Sequence, residues 1–229
     1  MTRTEAPSRP GLVFTTVLFD LDGTILDTNE LIIQSFLHAL RGVVPPDFGR
    51  EQIIPLMGQP LVSQMRIFTG REEVADLVRA YREYNLAHHD RMVKLFPGVA
   101  ETLDVLKKSG IRTGVVTTKM RETSERALKL FGLWDKIDVL VGIDDVAHPK
   151  PDPEPVLKAM QAVGAEPART LMVGDSPVDM EAALRAGAVP AGVAWSLKGE
   201  AKLREAGAVH LLGRMEDLRA LCGIGVAQA

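Results

Sequence analysis

The stretch that most constrains this chain is residues 17–27, Val-Leu-Phe-Asp-Leu-Asp-Gly-Thr-Ile-Leu-Asp. Residues 16–19 form a short apolar run containing β-branched side chains, the pattern of a strand buried on both faces. The run ends in two aspartates one residue apart, Asp20 and Asp22, followed by Gly23, which permits a sharp turn. A strand that delivers carboxylates at its carboxyl end sits where open α/β sheets build their sites. Over this segment alone an ordinary Asp-Gly turn reads the same way, so the remaining chain has to decide.

From Asp27 the periodicity becomes helical. Leu31, Ile32, Phe36, Leu37 and Leu40 recur on one face, Asp27 with Glu30 reads as a capping box, and Gly42 with Pro45-Pro46 ends the helix. Helical patterns follow over 50–54, 61–68 and 72–89, broken by Pro55 and by Met57-Gly58-Gln59-Pro60. No strand pattern occurs between 28 and 92. After Pro97-Gly98, helices over 99–109, 120–131, 154–163 and 178–186 alternate with strands over 111–117, 137–141, 170–173 and 191–195. Shorter elements follow over 198–206, 209–212 and 216–221. This alternation implies right-handed crossovers and a parallel sheet covered on both faces. The expected fold is α/β: a three-layer, Rossmann-like parallel-sheet core with a small all-α domain inserted after the first strand. The boundaries read as a disordered segment over 1–14, a core over 15–27 and 93–229, and the insertion over 28–92.

A net charge of −3 gives no electrostatic reason to expect nucleic acid or an anionic membrane as partner. The single cysteine, Cys222, excludes a disulfide framework and a cysteine-built metal site, and reads as a small apolar residue of the last helix. The first eleven residues lack the apolar core of a signal peptide, and no later run has the length of a membrane span. The expectation is a soluble cytoplasmic protein.

Polar residues gather at predicted strand ends. Asp20 follows the first strand, Thr117 ends the second just before Thr118 and Lys119, Lys150 follows the third, and Asp175 follows the fourth. In a parallel sheet these ends share one edge. Asp20, Asp22 and Asp175 would repel there unless a cation held them, and an all-oxygen ligand set suits Mg²⁺. Thr117 offers a hydroxyl, and the helix that follows offers free N–H groups to an anion. Lys150 stands between Pro149 and Pro151, a backbone more restrained than a solvated lysine needs; Asp152 there reads as an N-cap and Pro153 as the first helical residue. Together these groups describe phosphoryl transfer. Asp179 reads either as the partner of Ser176 in a helix start or as a group orienting Lys150 or a metal-bound water. His88 and His89, adjacent on a helix, point to different faces and read as partly buried or surface imidazoles rather than a metal pair.

Asp20-Leu21-Asp22-Gly23-Thr24, Thr117, Lys150 and Gly174-Asp175-x-x-x-Asp179 resemble the four ordered motifs of the haloacid dehalogenase-like (HAD) phosphohydrolase superfamily, over residues 15–195. The resemblance implies that Asp20 is the nucleophile, forming an aspartyl phosphate, and that Asp22 is the general acid and base. It places Mg²⁺ on the Asp20 side chain, the Asp22 backbone carbonyl and Asp175, and gives Thr117, Thr118 and Lys150 to the phosphoryl oxygens. It makes residues 28–92 a cap with hinges near 26–28 and 96–98, and Gly58 and Gln59 the cap loop reaching the substrate. Arg66, Lys94 and Lys119 are candidates to meet a charged substrate. Within the superfamily, residues 27–32, 57–61, 150–155 and 191–195 look most similar to bacterial inorganic pyrophosphatases of the PpaX type. The implied substrate is pyrophosphate or a small phosphorylated molecule. Phosphoglycolate and other small phosphomonoester phosphatases share many of these features and are the alternative. A phosphomutase, or a non-catalytic phosphoprotein-binding module on the same fold, stands behind them; the intact motif set argues against the module.

Overall fold

The computed structural model describes residues 13–225. The chain runs through β1 (Thr16–Phe19) and β2 (Leu26–Asp27), then four helices, α1 (Asn29–Ala39), α2 (Arg50–Ile53), α3 (Leu61–Thr69) and α4 (Ala75–Met92), and β3 (Lys94–Leu95). Then come α5 (Val99–Lys108), β4 (Arg112–Val116), α6 (Arg121–Leu130), β5 (Val139–Val141), α7 (Glu154–Val163) and β6 (Thr170–Gly174). The last elements are α8 (Pro177–Arg185), β7 (Val189–Val193), α9 (Glu200–Glu205), β8 (His210–Leu212) and α10 (Asp217–Leu221).

Six strands form one parallel sheet in the order β5-β4-β1-β6-β7-β8. β1 lies between β4 and β6, with Thr16 opposite both Arg112 and Thr170. Alternate side chains of a strand enter opposite faces. Val17 and Phe19 accordingly join the apolar cluster on one face of the sheet, while Leu18 joins the other with Val116 and Met172. A strand covered on both sides needs an unbroken apolar run, which is why residues 16–19 lack polar alternation. The sheet's order also jumps at β1, from β4 on one side to β6 on the other, which opens a crevice beyond the carboxyl ends of these strands.

Helices α1 to α4 enclose a cluster of their own around Ile33, Phe36, Leu40, Ile53, Met65 and Leu77, with Phe36 against the rings of Phe68 and Tyr81. The chain enters and leaves this helical block through an antiparallel ribbon, Leu26 opposite Leu95 and Asp27 opposite Lys94. β2 lies within the first expected hinge, 26–28, whereas β3 ends just before the second, 96–98. Two-residue strands carry no periodicity, so nothing in the sequence marks them as strands.

Several local expectations change. Asp27 and Glu30 form no capping box: the residue before α1 is Thr28, without a side-chain cap, and Glu30 turns to Gln34 and Arg50 instead. α7 spans 154–163 as its pattern predicts, but its N-cap is Pro153 rather than Asp152, whose Oδ1 accepts the Glu154 N–H at 2.9 Å. Of the segment expected to be disordered, residues 1–12 lie outside the described residues, but Phe14 is buried in the main core. Cys222 is buried directly after α10, and desolvation pushes its thiol up to about 12. Among the described residues, no helix is long and apolar enough to cross a membrane.

Candidate active site

β1 hands the chain to Asp20, whose N–H donates to the Val173 carbonyl of β6 at 2.8 Å. The Asp20 carboxylate is buried at the bottom of the crevice. Lys150 reaches it from the loop before α7. Its Nζ donates to Asp20 Oδ1 at 2.8 Å, to Asp179 Oδ1 at 2.6 Å and to the Val116 carbonyl at 2.9 Å. These contacts use all three donors of an ammonium that is only 2% exposed. Burial alone would drive the lysine toward neutrality, but Asp179 and Asp20 outweigh it and hold Lys150 above the ordinary lysine range.

Asp175 stands beside this group. Its Oδ2 accepts from Lys198 Nζ at 2.8 Å, and its carbonyl accepts from Ser196 Oγ at 2.6 Å. Carboxylate oxygens of Asp20, Asp175 and Asp179 all lie within 4.8 Å of one another. Two lysines against three carboxylates leave the cluster one positive charge short. Desolvation, opposed by Lys150 and reinforced by Asp179 and Asp175, accordingly pushes Asp20 up to about 8. Desolvation raises Asp175 as well, against the pull of Lys198. A buried, all-oxygen cluster with a charge deficit fits a hard divalent cation.

Glycines permit this density. Gly23 has φ +84°, and a Cβ there would lie 2.7 Å from the Asp175 carboxylate. A Cβ on Gly174 would meet Asp179 at 2.4 Å. Any side chain at either position would push an acid out of the cluster.

The sequence-derived site residues divide. Asp20, Lys150, Asp175 and Asp179 meet in one cluster. Asp179 fills both roles it offered: Oδ2 accepts the Ser176 N–H at 3.0 Å, closing the start of α8, while Oδ1 orients Lys150. The Asp22 carboxylate faces outward into the cavity above and takes Lys119 Nζ at 3.1 and 3.2 Å. Thr117 Oγ1 accepts the Lys119 N–H at 3.2 Å, so its hydroxyl hydrogen stays available to an anion. The Thr118 hydroxyl is spent elsewhere, on the Gly58 carbonyl at 3.1 Å, which leaves only its backbone for a phosphate. That bond and the one from Ser176 Oγ to the Met57 carbonyl at 3.3 Å bring the 57–60 loop, including Gly58 and Gln59, onto the sheet's rim. Arg66 and Lys94 do not line the cavity: Arg66 Nε donates to the Glu72 carbonyl, and Lys94 is exposed on the ribbon. Lys119 lines it, from the sheet side.

Between rim and helices lies a cavity of about 490 Å³. Asp20, Asp22, Thr117 and Asp175 form its floor, and Tyr81, Asn85 and His89 of α4 its opposite wall. Burial, with the Asp22 charge adding to it, raises the Tyr81 hydroxyl above the usual phenol range. Two groups escaped the sequence reading. Lys198 and Ser196 come from the loop after β7, and the available signal was positional: that loop leaves the same edge of the sheet as the other site loops.

The fold and the arrangement at its rim define a hydrolase class, and the chain belongs to it: the family model of haloacid dehalogenase-like hydrolases matches residues 17–193. Curated relatives narrow the neighbourhood. The pyrophosphatase PpaX of Bacillus velezensis is 44% identical over 212 residues, 92% of this chain and 97% of that protein. The pyrophosphatase PpaX of Bacillus cereus is 46% identical over 203 residues, 89% of this chain and 94% of that protein. The crystal structure of a hydrolase from Pseudomonas syringae matches with a TM-score of 0.80 at 26% identity, covering 90% of this chain and 96% of that one.

Proposed function

We propose that this chain is a Mg²⁺-dependent phosphohydrolase that works through an aspartyl phosphate on Asp20, with inorganic pyrophosphate as substrate. One observation carries the reaction class: a buried nucleophile candidate, Asp20, is held by a lysine between two further carboxylates at the sheet's switch point. The substrate assignment is supported by the PpaX relatives, which match over nearly their whole length.

Lys150 fixes Asp20 through Oδ1, and Oδ2 has no hydrogen bond among the described residues, so Oδ2 is the attacking atom. As the Oδ2–phosphorus bond forms, the bond from phosphorus to the leaving oxygen breaks and Asp22 gives that oxygen its proton. Water then attacks the acyl phosphate, Asp22 takes the proton from it, and phosphate departs with Asp20 restored. Asp22 must first part from Lys119, which frees that ammonium for a substrate oxygen. The Thr117 hydroxyl donates to the transferring group, and Asp179 acts by holding Lys150 in place. Mg²⁺ would be held by Asp20, Asp175 and the Asp22 carbonyl, and supplies the positive charge that the cluster lacks while phosphoryl oxygens carry negative charge. Helices α1 to α4 serve as a cap that excludes bulk water from the intermediate.

A second reading has its own observation. The cavity of about 490 Å³ has an apolar wall, with Ile32, Met57, Tyr81 and Leu86, roomier than a second phosphoryl group requires. That favours a small organic phosphomonoester such as phosphoglycolate. A panel of pyrophosphate and phosphate esters with added Mg²⁺ decides: faster turnover of pyrophosphate than of every ester is expected. Efficient ester hydrolysis with idle pyrophosphate would promote the second reading, and full activity in EDTA would remove the metal.

A further inference from the structure

The wall that faces the rim holds two buried polar atoms with no partner among the described residues: His89 Nε2 and Gln64 Oε1. Both side chains line the cavity, and His89 is only 3% exposed. A polar atom taken out of water without a partner costs free energy, so its persistence in a native fold needs a reason. For His89 the surrounding network supplies one. Its Nδ1 lies 2.8 Å from Asp90 Oδ1, and Asp90 Oδ2 accepts from Arg126 Nη2 at 2.8 Å. Arg126 belongs to α6 of the sheet domain, whereas His89 and Asp90 belong to α4. The Arg126 guanidinium, with the His89 ring, holds Asp90 below the usual carboxylate range. Asp90 is therefore an acceptor at neutral pH, and the bond assigns a proton to Nδ1. That leaves Nε2 as the unpartnered ring atom of a side chain that lines the cavity, in a ring fixed by a chain of contacts that begins on the opposite side of the crevice.

We infer that His89 is a specificity-determining residue: its Nε2 hydrogen-bonds an oxygen that the leaving group carries beyond the scissile bond. A neutral imidazole accepts there from a hydroxyl, and an imidazolium backed by Asp90 donates to a phosphate or carboxylate oxygen. The shared chemistry is an oxygen-bearing leaving group, which includes the second phosphoryl of pyrophosphate and the carboxylate of phosphoglycolate and leaves out a plain aryl group. Asp90 is a positioning residue, because it does not line the cavity and acts only through the ring, while Arg126, which lines the cavity itself, holds Asp90. The inference rests on the phosphohydrolase reading, but its second measurement does not need turnover.

The first measurement compares kcat/KM for the better of pyrophosphate and phosphoglycolate with kcat/KM for phenyl phosphate, with Mg²⁺ present. In His89→Leu this ratio should fall at least tenfold, mostly through KM, and His89→Gln should restore much of it. Asp90→Asn should lower the ratio in the same direction. An unchanged ratio in a folded His89→Leu overturns the assignment. The second measurement labels the histidines of the wild-type chain with ¹⁵N, identifies His89 through His89→Gln, and titrates pyrophosphate and then phosphoglycolate without Mg²⁺. A saturable shift of the His89 Nε2 resonance with either anion supports the contact. A His89 resonance that neither anion moves, while other resonances report binding, overturns it and leaves the atom to a structural water. A wild type that hydrolyses no phosphate compound removes the reaction proposed above, and the titration then judges His89 alone.

Discussion

The two sides of the crevice are built differently. On the sheet's rim the lysines pair closely with the acids at the strand ends: Lys150 with Asp20 and Asp179, Lys198 with Asp175, Lys119 with Asp22. On the facing helical wall apolar side chains dominate, and His89 Nε2 and Gln64 Oε1 have no partner among the described residues. A preorganised, tightly bonded rim suits chemistry that must be the same for every substrate, because its dipoles need no rearrangement as charge develops. A wall of adaptable surface with a few unsatisfied polar atoms suits discrimination between leaving groups. The comparison predicts that substitutions on the rim reduce all substrates together, and that substitutions on the wall change their ranking.

The largest test is Asp20→Asn, which keeps the shape and removes the nucleophile. Turnover on every substrate should fall by at least about a thousandfold while circular dichroism stays native. Activity that survives would break the assignment of the rim as the reacting side. Lys150→Met comes next. It leaves Asp20 and Asp179 buried without their shared cation, and losing one partner of a buried pair costs about 3–5 kcal/mol. Denaturant unfolding should show that loss; a change under about 1 kcal/mol would mean the rim charges are far better hydrated than their burial indicates.

Phe36→Ala tests the other side. Phe36 is buried in the helical block against Phe68 and Tyr81, and truncating such a ring costs about 3 kcal/mol or more. Because this cluster is distinct from the two that cover the sheet, amide exchange should quicken in α1 and α4 while β1 stays protected. Equal loss in β1 would show that the two regions unfold as one, and would weaken the contrast between them.

How far this contrast was legible from the sequence follows the same division. β1 was readable to the residue, because a strand covered on both faces must be apolar throughout. The rim acids, Thr117 and Lys150 were readable because parallel strands put their carboxyl ends on one edge. Arg66 and Lys94 misled because the phase of a helix or ribbon does not tell which face meets a distant element. The role of His89 was illegible for the same reason. Helical phase does separate it from His88, which stacks on Tyr84, but the partly buried or surface ring expected at position 89 is buried at 3% exposure. The bond from Asp90 to Arg126 joins positions 36 residues apart, and no local pattern announces it. Lys198 escaped because its loop carries no motif and gains its meaning only when it folds onto Asp175.

The smallest effect expected is a pH dependence in the loop that delivers Lys150 to the rim. Glu154, at the start of α7, accepts the N–H groups of Ala147 at 2.9 Å and His148 at 2.8 Å and so ties the two ends of that loop together. These amides, and the His148 ring beside them, hold Glu154 below its ordinary value of 4.5. A carboxyl with a folded value below its unfolded one binds protons more readily in the unfolded chain. Its stabilisation is therefore complete above the unfolded value and is lost as pH falls through the lower folded value. Glu154→Gln should remove this one contribution, so its Tm should decline less steeply than the wild type's between about pH 5 and about pH 3. Parallel Tm profiles would mean that the loop is held by its prolines and by the Lys150 contacts alone. A shallower profile would extend the bonded character of the rim outward to the loop that feeds it.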